Sequence, residues 1–435
     1  MQGRWRKDCG PEALKPHRDR APGDPLVGRR TLVRRGLLSA GILSAAACKT
    51  AGADTIGTSA PPWSKTPGRS FTPYGMPANT QDKVQRTFAP FPGRAGTGSS
   101  RTPIQFLEGT ITPSGLHFER HHNGVPDIDP ARHELVIHGM VKRPLSFTID
   151  ALMRYPMETR IVFIECAGNS GGYSQPSPPQ ATAASLNGLV SCSEWTGVRV
   201  ATLFEEAGLA NGAKWVIAEG ADAASMSRSV PLEKCTDDAL IALFQNGEAI
   251  RPEQGYPMRL LLPGFEGNMN VKWLHRLKVT DAPLDARDET AHYTELMPNG
   301  KARQYMLIQA VKSVITKPSF GMTMKGPGYY EVSGLAWSGA GRIGKVEVSA
   351  DGGRNWAIAA LGEPVLSKAL TRFRLAWQWD GKPAILMSRA TDETGAVQPT
   401  RSEWIAQYAP RQPYHFNGIQ GWGIDADGMV RNVYA

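Results

Sequence analysis

The chain has 435 residues, of which 41% are hydrophobic and 20% are charged, and these values are ordinary for a soluble globular protein of two domains with tails. The formal net charge of +9 is concentrated in residues 1–35, which contain ten Lys or Arg residues and four acidic residues. The remaining residues are close to neutral, which argues against a nucleic-acid-binding function.

Residues 1–53 are predicted to be an export signal. Two arginine pairs, Arg29-Arg30 and Arg34-Arg35, precede a short apolar run from Gly36 to Ala47. The run is too short to span a bilayer but suits the hydrophobic region of a signal peptide, so we expect no stable membrane span. The arginine pairs resemble the twin-arginine signal of proteins that fold before export, which predicts a periplasmic location. A basic N-terminal anchor helix is the alternative.

Residues 54–103 are rich in Pro, Gly, Ser and Thr and are predicted to form an arm or linker. Three cysteines lie beyond this segment: Cys166, Cys192 and Cys235. In an exported chain they permit a disulfide between Cys192 and Cys235, or two buried free thiols instead. Spacing alone does not choose between these possibilities.

An α+β domain is predicted over residues 104–297. The segment His133–His138 alternates in hydrophobicity as a strand does, and Arg160–Ile164 forms the next strand. The segment GVRVATLFEEAGL has apolar residues at helical spacing, with Gly208 placed as the C-terminal stop. Asn246-Gly247 indicates a hairpin turn. Because strands and helices are mixed without regular βαβ alternation, we predict the α+β class.

Residues 298–435 are predicted to form a β-sandwich for docking or dimerisation. Short alternating strands such as GKVEVSADGGRNW are separated there by Gly and Asp turns. The segment GAGRIG, from Gly339 to Gly344, matches a dinucleotide-binding pattern, but a strand follows it and we interpret it as a turn. Beyond Pro298 there is no cysteine and one histidine, His415, so we expect the chemistry mostly in the first domain.

A lone thiol lies where a predicted strand ends. In VFIECAGNSGG, apolar residues lead into Glu165 and Cys166, and small turn-forming residues follow. Ligands of α/β-type sheets lie at such strand ends, so the pattern predicts a functional cysteine.

Two further segments are rich in basic side chains. HFERHHNGVPDIDP contains Arg120, His121 and His122, and EGNMNVKWLHR contains Lys272. A thiol close to these groups is expected to be ionised, reactive and able to bind a soft metal. A Cys-His protease is the alternative, but its signatures are absent around the cysteine, and no CxxC motif supports a zinc site.

From about Ile104 onwards the chain resembles the sulfite oxidase family of molybdenum enzymes. ECAGNS is similar to the family's C-A-G-N loop, whose cysteine coordinates molybdenum, and FERHHNGVP to its R-N-H-x-P-V-P segment. YPMRLLLPGFEGNMNVKWL is similar to its G-F-P-x-R-x-x-x-P-G…V-K-W-L run. The resemblance implies a molybdopterin-binding domain, an immunoglobulin-like sandwich that forms a homodimer, and a molybdenum–molybdopterin cofactor whose dithiolene supplies two further sulfur ligands.

The resemblance also assigns seven residues to the site. Structural roles are the alternative for three of them, with Arg259 as a strand-edge charge, Asp222 as a turn cap and Tyr293 as a surface aromatic. By motif position the seven are Cys166 as the metal ligand, Arg120 and Tyr293 as catalytic residues, and His122, Asp222, Arg259 and Lys272 as cofactor-binding residues.

Departures from the family pattern bear on the substrate. Members that oxidise free sulfite carry arginines directly after C-A-G-N, where this chain has Ser170 and Gly171, and Gln254 replaces an expected histidine. A less basic pocket fits a bulkier substrate, as in the sulfane dehydrogenase branch that this chain resembles. That branch implies oxidation of sulfur on a carrier protein, and the lack of a CxxCH haem site implies a separate c-type cytochrome as electron acceptor. The alternatives are a sulfite dehydrogenase and a non-catalytic homologue that binds carrier or pterin.

Overall fold

The computed structural model describes residues 60–304, 306–408 and 413–434. They fall into two compact units, divided between Gly75 and Met76. The described part of the first unit contains a short 3-10 helix, Pro62–Ser64. The predicted export signal over residues 1–53 lies outside the described residues. Among the residues that are described, no helix has the length and apolar character needed to cross a membrane.

Residues 76–303 combine strands with short helices, as predicted for the α+β class. The helices are Ile149–Leu152 (α1), Ala183–Asn187 (α2), Val200–Ala207 (α3), Leu232–Asp237 (α4) and Arg287–Thr290 (α5). The strands are Thr87–Pro90 (β1), Gly98–Arg101 (β2), Glu119–His121 (β3), Glu134–Gly139 (β4), Leu145–Thr148 (β5), Met157–Glu165 (β6), Val190–Arg199 (β7), Trp215–Gly220 (β8), Ser227–Pro231 (β9), Leu240–Gln245 (β10), Glu248–Ala249 (β11), Arg259–Leu261 (β12), Leu274–Thr280 (β13), Glu295–Leu296 (β14) and Ala302–Arg303 (β15).

Three sheets of this part carry the segments that the sequence singles out. The first is β1-β2-β3, the second is β11-β10-β7-β6 with β12 paired to β10, and the third is β5-β4-β13-β8-β9. Within the third sheet β4 and β13 are parallel, whereas the other pairs are antiparallel. Apart from the segment that contains Tyr293, each predicted site segment therefore begins or ends at a strand of one of these sheets.

The local predictions for this part agree with the structure. Helix α3 buries Val200, Leu203, Phe204 and Ala207 on one face, the spacing expected of an amphipathic helix. Gly208, with φ +70°, ends it. Strands β10 and β11 form the predicted hairpin, and the positive φ angles of its two turn residues, Asn246 and Gly247, are those that Asn-Gly turns favour.

The prediction of an arm up to residue 103 is wrong at its C-terminal end. Strands β1 and β2 lie within that range, and β2 pairs with β3, so that Ser99 lies opposite Arg120. Ser100 is 1% exposed, and its hydroxyl accepts a hydrogen bond from the backbone N–H of Glu119 at 3.0 Å. Small polar residues that usually indicate a linker are here buried in a sheet, because they pack closely against a neighbouring strand.

The C-terminal part is a sandwich of two antiparallel sheets, β16-β17-β21-β20 and β19-β18-β22-β23-β24. Strand β18 begins at Ile343, so the first four residues of GAGRIG form the predicted turn before a strand, and the last two are already in that strand. The strands are Lys312–Lys317 (β16), Gly328–Trp337 (β17), Ile343–Ser349 (β18), Ala357–Ile358 (β19), Ala360–Leu361 (β20), Thr371–Trp379 (β21), Ala384–Asp392 (β22), Gly421–Ile424 (β23) and Val430–Val433 (β24), and one helix, Arg401–Gln407 (α6), precedes β23.

The core of the sandwich continues into the first part of the chain. Phe163 of β6 and Cys192 of β7 belong to the same buried cluster as Trp337 and Trp422, and the rings of Phe163 and Trp337 are 6.4 Å apart. The strand that leads to Cys166 is therefore packed against the C-terminal part.

The cysteines of the described residues are free thiols. Cys192 is buried in the sandwich core, whereas Cys235 is buried in a separate core formed by α1, α3 and α4 with strands of the second and third sheets. Of the two possibilities left open by the sequence, the structure has the pair of buried free thiols.

Candidate active site

One open cavity brings the predicted site residues together. Its walls come from strand β3 and the residue after it, the loop after β6, the loop after β8, the start of β12, the segment before β13 and the segment after α5. The predicted residues that line it are Arg120, His122, Cys166, Asp222, Arg259, Lys272 and Tyr293.

Cys166 is held at the end of β6 by backbone and side-chain hydrogen bonds. Its backbone N–H donates to the carbonyl of Leu189 at 2.9 Å, and Asn169 Nδ2 donates to Glu165 Oε1 at 2.9 Å. A Cβ atom at Gly267 would lie 2.7 Å from the Glu165 carbonyl oxygen and 3.3 Å from Cys166 Cα. A glycine is therefore required at position 267 for the neighbouring loop to approach the cysteine.

The expectation that nearby cations ionise the Cys166 thiol is wrong for the protein alone. Burial raises the pKa of this thiol, the charge of Arg120 opposes that rise, and Glu266 and Glu165 add to it. The reason is that desolvation penalises the thiolate more than the distant cations stabilise it. A bound metal cation would supply the missing stabilisation, since metal binding displaces the thiol proton.

Arg259 is a buried cation at the cavity wall. Its Nη1 and Nη2 donate to the carbonyls of Gln254 and Asn270, both at 2.9 Å, and its guanidinium lies 5.0 Å from the Trp195 ring centre. Burial lowers the pKa of Arg259 to about 9. Since buried charges in proteins are normally paired, this guanidinium indicates an anionic ligand. The alternative interpretation of Arg259 as a strand-edge charge does not fit its burial.

Lys272 is a second cation on the same cavity. Its Nζ donates to the carbonyls of Glu253 and Arg120, at 3.1 and 3.3 Å, and lies 2.9 Å from His121 Nδ1. All three acceptors are neutral groups or neutral ring nitrogens. Burial and the charge of Arg259 lower the pKa of Lys272 to about 7. An anion between the two cations would raise that pKa and hold the ammonium form.

His122 and Tyr293 form a hydrogen-bonded pair, with 3.2 Å between His122 Nε2 and Tyr293 Oη. Burial and Arg120 lower the pKa of His122 to about 4, and burial and Cys166 raise the pKa of Tyr293. Both side chains are therefore neutral near neutral pH. Tyr293 is 7% exposed and has a φ of +53°, so it is not a surface aromatic.

Arg120 and Asp222 lie on the same cavity through different elements. Arg120 belongs to β3; its guanidinium donates to the carbonyl of His121 and lies 5.1 Å from the Phe91 ring centre. Asp222 follows β8, is 8% exposed, and its backbone carbonyl accepts from the N–H of Ser225 at 2.9 Å. The backbone of Asp222 forms the predicted turn, while its carboxylate adds negative charge near Lys272.

Among the cavity residues that sequence reasoning missed, His117 and Asn268 carry unsatisfied polar atoms. His117 Nε2 and both amide atoms of Asn268 are buried without a hydrogen-bond partner among the described residues, as is Arg259 Nε. Each unsatisfied buried polar atom costs about 1–3 kcal/mol, so a polar ligand in the cavity would be stabilised by these groups. His117 begins the segment HFERHHNGVPDIDP, and Asn268 lies in EGNMNVKWLHR. Their position in these two segments is the signal that could have identified them.

The two positions after C-A-G-N do not face the cavity, contrary to expectation. Ser170 is 1% exposed, has a φ of +64° and donates its hydroxyl hydrogen to Asn187 Oδ1. A Cβ at Gly171 would lie 2.6 Å from the carbonyl oxygen of Pro413. An arginine at position 171 would disturb this backbone contact rather than add charge to the cavity. Gln254, the other departure, does line the cavity.

A network of buried charges lies beside Tyr293. Arg228 has its Cζ 5.2 Å from the Tyr293 ring centre and its Nη2 3.0 Å from Glu266 Oε1. His415 bridges two carboxylates, with Nε2 2.7 Å from Glu266 Oε2 and Nδ1 3.1 Å from Glu295 Oε1. These carboxylates raise the pKa of His415 to about 9, although burial opposes the rise. His415 is therefore an imidazolium near neutral pH.

This network predicts a loss of stability at alkaline pH. The folded-state pKa of His415, about 9, lies above its ordinary value of 6.5, so its contribution is complete below pH 6.5 and disappears as pH rises through 9. At about 1.4 kcal/mol per pKa unit, the contribution is at most roughly 3 kcal/mol. Urea unfolding at pH 7 and pH 9.5 is expected to show this fall for the native chain and a smaller one for His415→Gln. Equal falls in both proteins would contradict the assignment.

Family models match the chain in the predicted order. Residues 122–287 match the model described as oxidoreductase molybdopterin binding domain, and residues 303–421 match the Mo-co oxidoreductase dimerisation domain. The predicted α+β molybdopterin-binding domain followed by a dimerisation domain is therefore confirmed.

Solved and curated proteins place the chain in one family. The crystal structure of the sulfane dehydrogenase SoxCD from Paracoccus pantotrophus is 44% identical, with a TM-score of 0.85, over 88% of this chain and 99% of that chain. Human mitochondrial sulfite oxidase is 30% identical over 68% of this chain and 59% of its own length. Tomato (Solanum lycopersicum) NADH nitrate reductase is 31% identical over 70% of this chain and 38% of its own. The chain spans less than two thirds of the length of these two curated relatives. Together with the family models, these likenesses show that it belongs to the sulfite oxidase family of molybdenum enzymes.

Proposed function

We propose that this chain is a periplasmic molybdenum oxidoreductase that oxidises sulfur bound to a carrier protein. The observation that carries the proposal is the convergence of the Cys166 thiol with two cations, Arg259 and Lys272, and with unpartnered polar atoms on one cavity. The likeness to a sulfane dehydrogenase over 88% of the chain supports the choice of substrate class. Residues 104–297 would form the catalytic domain, and residues 298–435 would form a homodimer.

The residues present fit a molybdenum–molybdopterin cofactor. Cys166 would supply one thiolate to the metal, and Arg259 and Lys272 would neutralise the phosphate-bearing part of the cofactor. Asn268 and His117 offer buried polar atoms that a pterin's hydrogen-bonding groups would satisfy. When bound, the cofactor supplies two-electron chemistry and the transfer of water-derived oxygen to sulfur.

The protein's own side chains would orient the substrate and control protons. Tyr293 retains its phenolic proton at neutral pH and can donate a hydrogen bond from Oη toward a substrate oxygen. His122, with a pKa of about 4, is too weak a base to take that proton and instead fixes the position of Oη. Arg120 carries the positive charge at the cavity edge that would attract an oxidised, anionic sulfur group.

The carrier-bound substrate is favoured over free sulfite by the charges on the cavity. Gln254 lines the cavity where a histidine is expected, so the cavity has one potential cation fewer. A free sulfite dianion depends on charge-assisted hydrogen bonds worth about 1.5–3 kcal/mol each, whereas a carrier protein gains contacts around the cavity mouth. Electrons would leave to a separate c-type cytochrome. A sulfite dehydrogenase is the second candidate, supported by the match to sulfite oxidase.

Analysis of the purified protein tests the cofactor first. About one molybdenum per chain, with a fluorescent pterin released on oxidation, is expected. Protein exported and purified without molybdenum would contradict the proposal and favour a non-catalytic homologue.

Steady-state kinetics then test the substrate. We expect poor turnover of free sulfite, and a kcat/KM roughly ten- to a hundredfold higher with a sulfur-loaded carrier protein and a c-type cytochrome, the loss expected from one missing charged donor at Gln254. Efficient oxidation of free sulfite with no response to the carrier would favour the sulfite dehydrogenase instead.

A further inference from the structure

The C-terminal sandwich reaches the Cys166 loop through a buried ion pair. Lys312, the first residue of β16, has its Nζ 2.9 Å from Oε1 of Glu165, the residue directly before Cys166. Trp337 Nε1 donates to the other carboxylate oxygen at 2.7 Å. Lys312 is 1% exposed and Glu165 is 3% exposed, so the pair is shielded from water.

A second contact from the C-terminal part holds the opposite side of the loop. The backbone N–H of His415 donates to the carbonyl of Ala167, the residue directly after Cys166, at 2.8 Å. The His415 ring bonds to Glu266, and Glu266 precedes Gly267, whose Cα lies against the backbone of Cys166. The residues on both sides of the cysteine are thus bound by residues that lie beyond Pro298.

We infer that Lys312 and His415 are positioning residues for the metal site, which makes the sandwich a structural part of that site as well as a dimerisation domain. The inference rests on the proposed role of Cys166 as the metal ligand. Neither residue lines the cavity, so each would act through Glu165, Ala167 or Glu266.

Buried charge explains why these contacts fix a conformation. A buried ion pair adds little stability compared with apolar residues, but removal of one partner leaves an uncompensated buried charge. The Glu165 carboxylate also accepts from Asn169 Nδ2 and Trp337 Nε1, so its position determines the loop that carries the thiol. Mutation of the residues that hold a metal ligand in place typically lowers metal affinity by about ten- to a hundredfold.

A double-mutant cycle on the full-length holoenzyme tests the inference. The variants are Lys312→Met, Glu165→Gln and both together, with His415→Gln as an independent test of the second contact. Lys345→Met is the matched control, since Lys345 is a lysine of the same sandwich whose side chain is 48% exposed. The measurements are the rate of molybdenum release at fixed pH, the electron paramagnetic resonance spectrum of the Mo(V) state, and urea unfolding.

We expect Lys312→Met and His415→Gln to release molybdenum about ten- to a hundredfold faster and to shift the Mo(V) spectrum. The double variant should lose no more than the worse single variant, because Lys312 and Glu165 act as a unit. Lys345→Met should match the native protein.

Variants that unfold more easily but keep the native release rate and spectrum would show a merely structural role and overturn the inference. Additive effects in the cycle would overturn the assignment of Lys312 and Glu165 as a pair. If Lys312→Met does not fold, His415→Gln alone decides. Native protein without molybdenum would instead refute the proposed function, so the two failures are distinguishable.

Discussion

Replacement of Cys166 by serine is expected to lower turnover by more than about a hundredfold. Mutation of residues that only support a metal ligand costs up to about a hundredfold, and loss of the ligand itself should cost more. A hydroxyl is a poor ligand for a soft metal near neutral pH, so the metal would lose its protein ligand. The fold should persist, with the free energy of unfolding changed by less than about 1 kcal/mol, because Cys166 is only partly buried and lines the cavity, so the serine hydroxyl is not enclosed by apolar groups. Molybdenum content, the Mo(V) spectrum and urea unfolding measure these effects.

Cys192→Ser is the matched control for this variant. Cys192 is buried in the sandwich core, and its thiol does not line the cavity. Serine there buries a hydroxyl among apolar groups, at a cost of about 1–3 kcal/mol. We therefore expect the opposite result, a less stable protein with native metal content and spectrum. Full turnover by Cys166→Ser would refute the assignment of the ligand.

Replacement of Lys272 by methionine is expected to weaken retention of the cofactor by roughly ten- to a hundredfold. The change removes a charge-assisted hydrogen bond worth about 1.5–3 kcal/mol while keeping a side chain of similar length. The cofactor-free protein should unfold at nearly the native urea concentration, because the lost ammonium is a poorly solvated cation beside Arg259. Pterin and molybdenum content after dialysis, compared with unfolding of the cofactor-free protein, separate the two effects.

Lys278→Met provides the control for Lys272→Met. Lys278 lies in β13, six residues further along the chain, and its side chain is exposed. The two variants lose the same formal charge, so a general effect of net charge would appear in both. Equal cofactor retention in Lys272→Met and the native protein would refute the role of Lys272.

The sequence by itself determined the identity of the chemical groups. Cys166 at the end of a strand, the basic residues of FERHH and the run ending in VKWL specify a thiol and cations in local patterns that can be recognised without a structure. The elements around them are also local: α3 follows a 3.6-residue periodicity, and the Asn246-Gly247 turn follows backbone preference. The α+β class and the sandwich follow from these patterns.

Only the tertiary structure decided which groups face one another. Ser170 and Gly171 follow the metal-binding motif directly, yet the backbone turns them toward Asn187 and Pro413 instead of the cavity. His117 belongs to the cavity, but nothing in the basic segment HFERHH that it begins shows which of its side chains face the cavity. The direction of a side chain in a loop depends on packing against distant segments, which local periodicity does not encode.

The same reason explains the link between the two parts of the chain. The ion pair between Lys312 and Glu165 joins residues far apart in sequence, and it forms because β6 and β16 contribute to one buried core. A lysine at the start of a strand is ordinarily a surface residue, so composition and spacing gave no sign of its burial. Sequence thus specified the reactive groups, whereas long-range packing determined their orientation, their protonation and the residues that hold them in place.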